Sequence, residues 1–292
     1  MNAVEISHLS KSYPGKRLGK VAALHDVSLE VAAGEVFGFL GPNGAGKSTT
    51  IKIVMGLLRP GTGSVRVFGT PVQSVESRRK VGYLPENPSF YEFLTGREYL
   101  AFVGRAFGMD DAAIRSESSR VLELLDLSGA ADRPIRGYSK GMVQRLGLAQ
   151  AMVHDPDLYI LDEPMSGLDP VGRALVKEII KDLKRRGKTV FFSTHITADI
   201  EIVCDRVGIV AGGRLRTVDS VANILQSGVV GYEIEISRAG AVEVIQVERD
   251  LLQHRLSELM DTGAVIERIE PVRKDMEAFF LDIISREPDG SR

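Results

Sequence analysis

The chain has 292 residues, a length that fits one large domain or a domain with an appendage and that can bury a substantial core. With 37 Lys and Arg against 39 Asp and Glu its formal net charge is −2, and 43% hydrophobic and 26% charged residues make an ordinary globular composition. These values exclude a small disulfide-stapled fold and a chain drawn to nucleic acid or anionic lipid by its overall charge. The one cysteine, Cys204, has no metal-ligand spacing around it and points to a reducing, cytosolic setting.

Residues 3–9 and 27–31 alternate or cluster apolar residues as strands do, and Glu5, His8 and Lys11 break up any signal-peptide core. No stretch reaches the roughly 18 uninterrupted apolar residues of a membrane span, so work at a membrane is expected to need a partner that crosses it. Gly34 turns the chain into Val36-Phe37-Gly38-Phe39-Leu40, a short apolar run typical of a buried strand, which ends at a glycine-rich turn. Residues 48–58 read as a buried helix stopped by Arg59-Pro60-Gly61, and residues 97–126 as helices with apolar positions three and four apart. Strands return at 158–161, 189–192 and 207–210, with a helix over 170–186, an alternation that predicts a parallel sheet. After about residue 225, Tyr232–Ser237 and Val242–Val247 alternate with period two, and a helix at 249–260, a strand near 265–272 and a helix at 275–285 complete a small second domain.

The chemistry begins at Gly41-Pro42-Asn43-Gly44-Ala45-Gly46-Lys47-Ser48-Thr49, which matches G-x-x-x-x-G-K-[ST] between a strand and a helix. Glycines let successive N–H groups curl around phosphate oxygens, and the helix that follows adds its positive end. Lys47 is a point charge for β- and γ-phosphates and Ser48 a hard oxygen ligand for Mg²⁺. Further on, Leu158-Tyr159-Ile160-Leu161-Asp162-Glu163-Pro164 is an apolar strand ending in two adjacent carboxylates that face opposite ways. Asp162 is expected to hold the metal, and Glu163 to act as general base or to orient a water beside the γ-phosphate.

On these two motifs the chain resembles the nucleotide-binding subunit of ATP-binding-cassette (ABC) transporters, strongly over about residues 2–220 and loosely beyond. The resemblance implies ATP with Mg²⁺ as cofactors and an α/β fold. That fold is a phosphate-loop NTPase core with a mainly parallel sheet, an N-terminal antiparallel β part and a helical insert at about 87–155 within a domain of residues 1–220. A small α+β accessory domain at 225–292 follows. Tyr138-Ser139-Lys140-Gly141-Met142 resembles the family's signature segment, so Ser139 and Gly141 are expected to contact nucleotide bound to the opposite subunit. Positions 138, 140 and 142 depart from the usual pattern; Lys140 either adds a cation near the nucleotide or faces solvent.

The remaining residues carry over one at a time. Ser166-Gly167-Leu168-Asp169 resembles the loop through which subunits sense each other, with Asp169 reaching across, and His195 resembles the switch histidine at the γ-phosphate. Tyr13 fits the aromatic that stacks on adenine, against the alternative of a surface tyrosine near a turn. Glu86 stands where many relatives have glutamine near Mg²⁺ or the attacking water; its charge near the γ-phosphate is expected to weaken nucleotide affinity or slow turnover. Tyr83-Leu84-Pro85-Glu86 and a small C-terminal domain are common among ABC-2-type exporter ATPases, which favours export over import.

Phe90, Tyr91 and Phe93 either fill the groove that accepts a permease's coupling helix or pack locally. The basic run from Lys181 to Lys188 reads as cations in a last helical turn rather than as a nucleic-acid patch. Each chain has one copy of each motif, so a homodimer, or a heterodimer with a close relative, is implied. The expected function is ATP hydrolysis at the cytoplasmic face of the membrane, powering export through a separate permease. The alternatives are a non-transport ABC protein acting on ribosomes or DNA, and a regulatory cassette that senses ATP without turning it over.

Overall fold

Two kinds of strand build the first part of the chain, and their side chains explain the difference. In the computed structural model, which describes residues 1–15, 19–227, 229–238, 241–273 and 275–285, the chain divides into two units, Met1–Val218 and Asp219–Arg292. Strands β1 (Asn2–Pro14) and β2 (Lys20–Ala32) mix buried and exposed positions and pair antiparallel, as half-solvated strands do. Strand β3 (Val36–Leu40) is buried at every position and leads into helix α1 (Lys47–Val54). Strands β4 (Thr62–Val67) and β5 (Thr70–Pro71) extend the first pair into a four-stranded sheet ordered β2-β1-β4-β5. Strand β6 (Val81–Leu84) begins the return to the core.

Three helices come next. α2 (Gly96–Ala106) starts on a capping box of Thr95 and Glu98, α3 (Asp111–Leu124) on an Asp110 cap, and α4 (Lys140–Met152) on a Ser139 cap. Strand β7 (Leu158–Asp162), helix α5 (Pro170–Arg185), strand β8 (Thr189–Thr194), helix α6 (Thr197–Val203), strand β9 (Arg206–Ala211) and strand β10 (Arg214–Ser220) follow. The second sheet runs β10-β9-β3-β8-β7-β6, with β3, β6, β7, β8 and β9 paired in parallel. Phe191 links its centre, with ring centroids 5.9 Å from Phe37 and 5.6 Å from Phe39. This order puts the C-terminal ends of β3, β8 and β7 side by side.

In the second unit, helix α7 (Val221–Ser227) precedes strands β11 (Val229–Arg238) and β12 (Ala241–Glu248), helix α8 (Leu252–Asp261), strand β13 (Val265–Arg273) and helix α9 (Met276–Ser285). The strands form an antiparallel sheet ordered β12-β11-β13, whose buried side holds Ile234, Ile236 and Val247 with Leu259 of α8.

The structure amends several expectations. The helix expected over 48–58 ends at Val54, because Gly56 takes φ 67 and turns the chain, leaving Leu57 exposed. The helices expected over 97–126 are present as α2 and α3, parted where Asp110 caps the second. The helix expected from 249 opens with a 3₁₀ turn over Arg249–Leu251. Strands β4, β6 and β10 and helix α7 were not anticipated, since they are short or weakly patterned. Among the described residues no helix is long and apolar enough to cross a membrane.

Candidate functional site

The glycine-rich turn leaves β3 and closes on α1. Gly46 stands at φ 104, where a Cβ would also lie 2.6 Å from Leu24 Cδ2, so the position accepts only glycine without strain. The turn is held from both sides, by Gly41 N donating to Thr194 O at 3.2 Å and Gly213 N to Ala45 O at 3.2 Å. Lys47, 6% exposed, points its ammonium back into the turn and donates to Gly41 O at 2.7 Å and Pro42 O at 3.2 Å. Residues 42–49 then line an open cavity of about 240 Å³ together with Ala23, Glu86 and Glu163. A ring of backbone N–H groups, a helix N-terminus and one ammonium around such a cavity suit a polyphosphate.

Parallel pairing of β7 with β8 brings the two carboxylates to this turn. Ser48 Oγ donates to Asp162 Oδ1 at 3.3 Å, joining a hydroxyl and a carboxylate oxygen in the hard-oxygen set that Mg²⁺ shares with phosphates. Among the described residues no group of three or more His, Cys, Asp or Glu could hold a metal unaided, so nucleotide oxygens and water would complete its shell. Asp162 is 1% exposed, and burial pushes its carboxyl up; hydrogen bonds from Ser193 and Ser48 oppose this, while the charges of Glu86 and Glu163 add to it. Burial, with Asp162 as a lesser cause, also pushes the Tyr83 phenol up to about 12.

Glu163 occupies a strained backbone position, φ 50, at the end of the strand. Its Oε1 lies 3.4 Å from Lys47 Nζ, and its two oxygens lie 3.1 and 3.0 Å from His195 Nδ1. A carboxylate only accepts, so His195 donates through Nδ1, and Nε2 carries a second proton only in the imidazolium. To donate to a further acceptor as well, the ring would have to be a cation or release Glu163.

Two residues that sequence reasoning missed hold this arrangement. Ser193 Oγ donates to Asp162 Oδ1 at 2.5 Å and accepts from Glu163 N at 3.0 Å, while Gln144 Nε2 donates to Glu163 O and Pro164 O, both at 3.3 Å. A signal existed for each: Ser193 is a polar residue in a wholly buried strand, and Gln144 a buried amide in a helix.

The other anticipated residues fall into two groups. Tyr13 is exposed near the end of β1, its hydroxyl 3.4 Å from Thr49 Oγ1 of the turn; Glu86 is exposed on the cavity. Ser139, Gly141 and Asp169 lie elsewhere, outside the lining of that cavity. Ser139 caps α4 by accepting from Met142 N at 3.3 Å, and Asp169 caps α5 by accepting from Gly172 N at 2.9 Å. Lys140 is exposed to solvent, one of its two expected courses, and its side chain also packs over Gly167, which joins the signature-like turn to the Asp169 loop. Of the basic run, Lys181, Lys184, Arg185, Arg186 and Lys188 all pair with carboxylates of this chain, which suits a helix end.

Comparison with known proteins gives the family. A family model described as ABC transporter matches residues 24–166. The chain is 44% identical over 254 residues to an uncharacterised ABC transporter ATP-binding protein of Synechocystis sp., a match covering 84% of this chain and 70% of that one. It is 40% identical over 213 residues to Nod factor export ATP-binding protein I of Rhizobium meliloti, covering 72% of this chain and 62% of that one. Among solved structures it is similar to an ATP binding subunit of an ABC transporter, with 33% identity, a TM-score of 0.69, and coverage of 76% of this chain and 91% of the other.

Proposed function

The chain belongs to the ATP-binding proteins of ABC transporters and is an ATPase, and on that premise we propose that it powers export through a separate membrane permease as one of two paired subunits. One observation carries the pairing. The turn at 42–49 with Glu86 and Glu163 forms one cavity, while Ser139, Gly141 and Asp169, the other residues that resemble nucleotide and partner contacts, lie outside it on a second surface. A second copy, or a close relative, turned to face the first would set each Ser139 surface against the other's phosphate turn. Export in particular is supported by similarity to the Nod factor export proteins.

In this reading backbone N–H groups within residues 43–49 and the Lys47 ammonium hold the phosphates of ATP, and the Tyr13 ring stacks on adenine. Ser48 and Asp162, with Glu86 beside them, would hold Mg²⁺, which would supply positive charge against the phosphates. Glu163 accepts a hydrogen bond from the attacking water and orients it, with Ser193 and Gln144 fixing the Glu163 backbone. Lys47 exchanges carbonyl partners for phosphate oxygens, and His195 faces the γ-phosphate from the end of β8. Hydrolysis removes the link between subunits, and the permease alternates with it.

The permease would dock on exposed aromatics beside Glu86. Tyr91, Phe93 and Phe102 are all exposed, with Tyr91 ring centroids 5.9 Å from Phe93 and 6.2 Å from Phe102, while Phe90 packs edge-on to Tyr99. Docking there puts the subunit at the cytoplasmic face of the membrane, with the cargo chosen by the permease.

Purification of Glu163→Gln protein from membranes with ATP and Mg²⁺, followed by mass spectrometry, tests the proposal. Recovery of a polytopic membrane protein is expected. Recovery from the soluble fraction with ribosomal or DNA-bound partners and no membrane protein would replace transport by another output.

A further inference from the structure

Two helices of the first unit begin where the chain leaves functional loops. α5 starts directly after Asp169, and α6 starts two residues after His195. One buried carboxylate joins them: Asp199 of α6, 1% exposed, accepts from Arg173 Nη2 at 3.1 and 3.0 Å on its two oxygens and lies 3.0 Å from Lys177 Nζ. Arg173 N donates in turn to Asp169 O at 2.9 Å, and Asp199 N to Ile196 O at 3.3 Å. The contact therefore runs from the first turn after the Asp169 loop to the first turn after His195. The neighbouring Ile200 is fully buried over Gly38, so α6 is seated on β3, the strand that ends in the phosphate turn.

The two cations differ in what they can transmit. A carboxylate out of water needs compensation, which either cation supplies. Lys177, a flexible point charge one turn further along α5, balances that charge. Arg173 is planar, touches both oxygens and is tied through its own N–H to the Asp169 loop.

We propose that Asp199 and Arg173 are positioning residues that transmit the placement of the Asp169 loop to His195, and through it to Glu163, while Lys177 supplies charge balance. This rests on the reading of the chain as an ATPase that works in pairs. When a partner subunit engages Asp169, the start of α5 shifts, and Arg173 draws α6 and the end of β8 with it, setting the His195 ring against Glu163.

The test uses the full chain as Arg173→Gln, Arg173→Lys and Lys177→Gln, in each of which Asp199 keeps at least one cation. Steady-state ATPase rates against ATP concentration, equilibrium ATP binding and thermal melting are measured for each. Arg173→Gln is expected to lower kcat roughly 3- to 30-fold, with ATP affinity within about twofold and the Hill coefficient falling towards that of independent sites. Lys177→Gln should leave kcat within about twofold, and Arg173→Lys should fall between wild type and Arg173→Gln. Equal kcat losses in Arg173→Gln and Lys177→Gln, or a lowered Tm in Arg173→Gln with wild-type kcat and Hill coefficient, would overturn the proposal. If Arg173→Gln does not fold, Arg173→Lys decides: a reduced kcat supports the link and a wild-type kcat removes it. Absence of ATP turnover in the wild-type chain would remove the parent reading as well, whereas turnover unaffected by Arg173→Gln removes this inference alone.

Discussion

Lys47 Nζ and Glu163 Oε1 stand 3.4 Å apart with side chains 6% and 10% exposed. The ammonium and the carboxylate thus hold each other with little of either side chain exposed, where charge interactions are strong. In the proposed reading ATP would compete for Lys47 and leave Glu163 with His195.

Glu163→Gln removes this competitor without removing Lys47. Hydrolysis should fall roughly 10²- to 10⁴-fold, while ATP binding is retained or tightened. Phosphate release and equilibrium ATP binding on the same preparation check both halves; near-normal turnover would take Glu163 out of the role assigned to it.

Ser193→Ala tests the support beneath both carboxylates. It deprives Asp162 of a donor and leaves the buried Glu163 N–H unpaired, at a cost of about 1–3 kcal/mol. A melting temperature lower by several degrees and kcat reduced roughly tenfold are expected, the second because Glu163 is no longer held at its strained φ. Unchanged kcat would show that Gln144 suffices.

Glu86 places negative charge beside Asp162 and on the cavity proposed to take the phosphates. Glu86→Gln should raise ATP affinity or turnover roughly two- to fivefold, the modest size expected of an exposed charge. If titration calorimetry and the ATPase assay both return wild-type values, Glu86 does not act at the nucleotide.

Asp162 gives the protein a pH signature. Its carboxyl is raised in the folded chain, chiefly by burial, so its contribution to stability is fully present below the ordinary carboxylate value and is lost as pH rises through the raised value. Without nucleotide, Asp162→Asn should therefore melt a few degrees above wild type at neutral pH, and the difference should shrink as pH falls through the raised value. Melting curves across that range check the sign. Mg²⁺-dependent ATP binding should be lost in the same variant.

Much of the site was legible in the sequence because its parts are contiguous. Residues 41–49 carry the glycine spacing of a phosphate-binding turn, and Asp162 and Glu163 sit together at the end of an apolar run, so spacing alone reveals both. The period-two strands of the C-terminal part are likewise local, each depending on alternation along its own run. The sequence by itself therefore determined the chemical groups and the elements that carry them.

Tertiary structure decided which groups meet. Lys47 reaches Glu163, and Ser193 reaches Asp162, only because β8 lies between β3 and β7, an order set by crossovers that no local pattern encodes. The same holds for Ser139 and Asp169, which lie outside the phosphate cavity, and for the contact of Arg173 with Asp199. Contacts between residues far apart in the chain arise from the packing of whole elements, where one buried charge or hydroxyl finds its partner only once the sheet order has put it within reach.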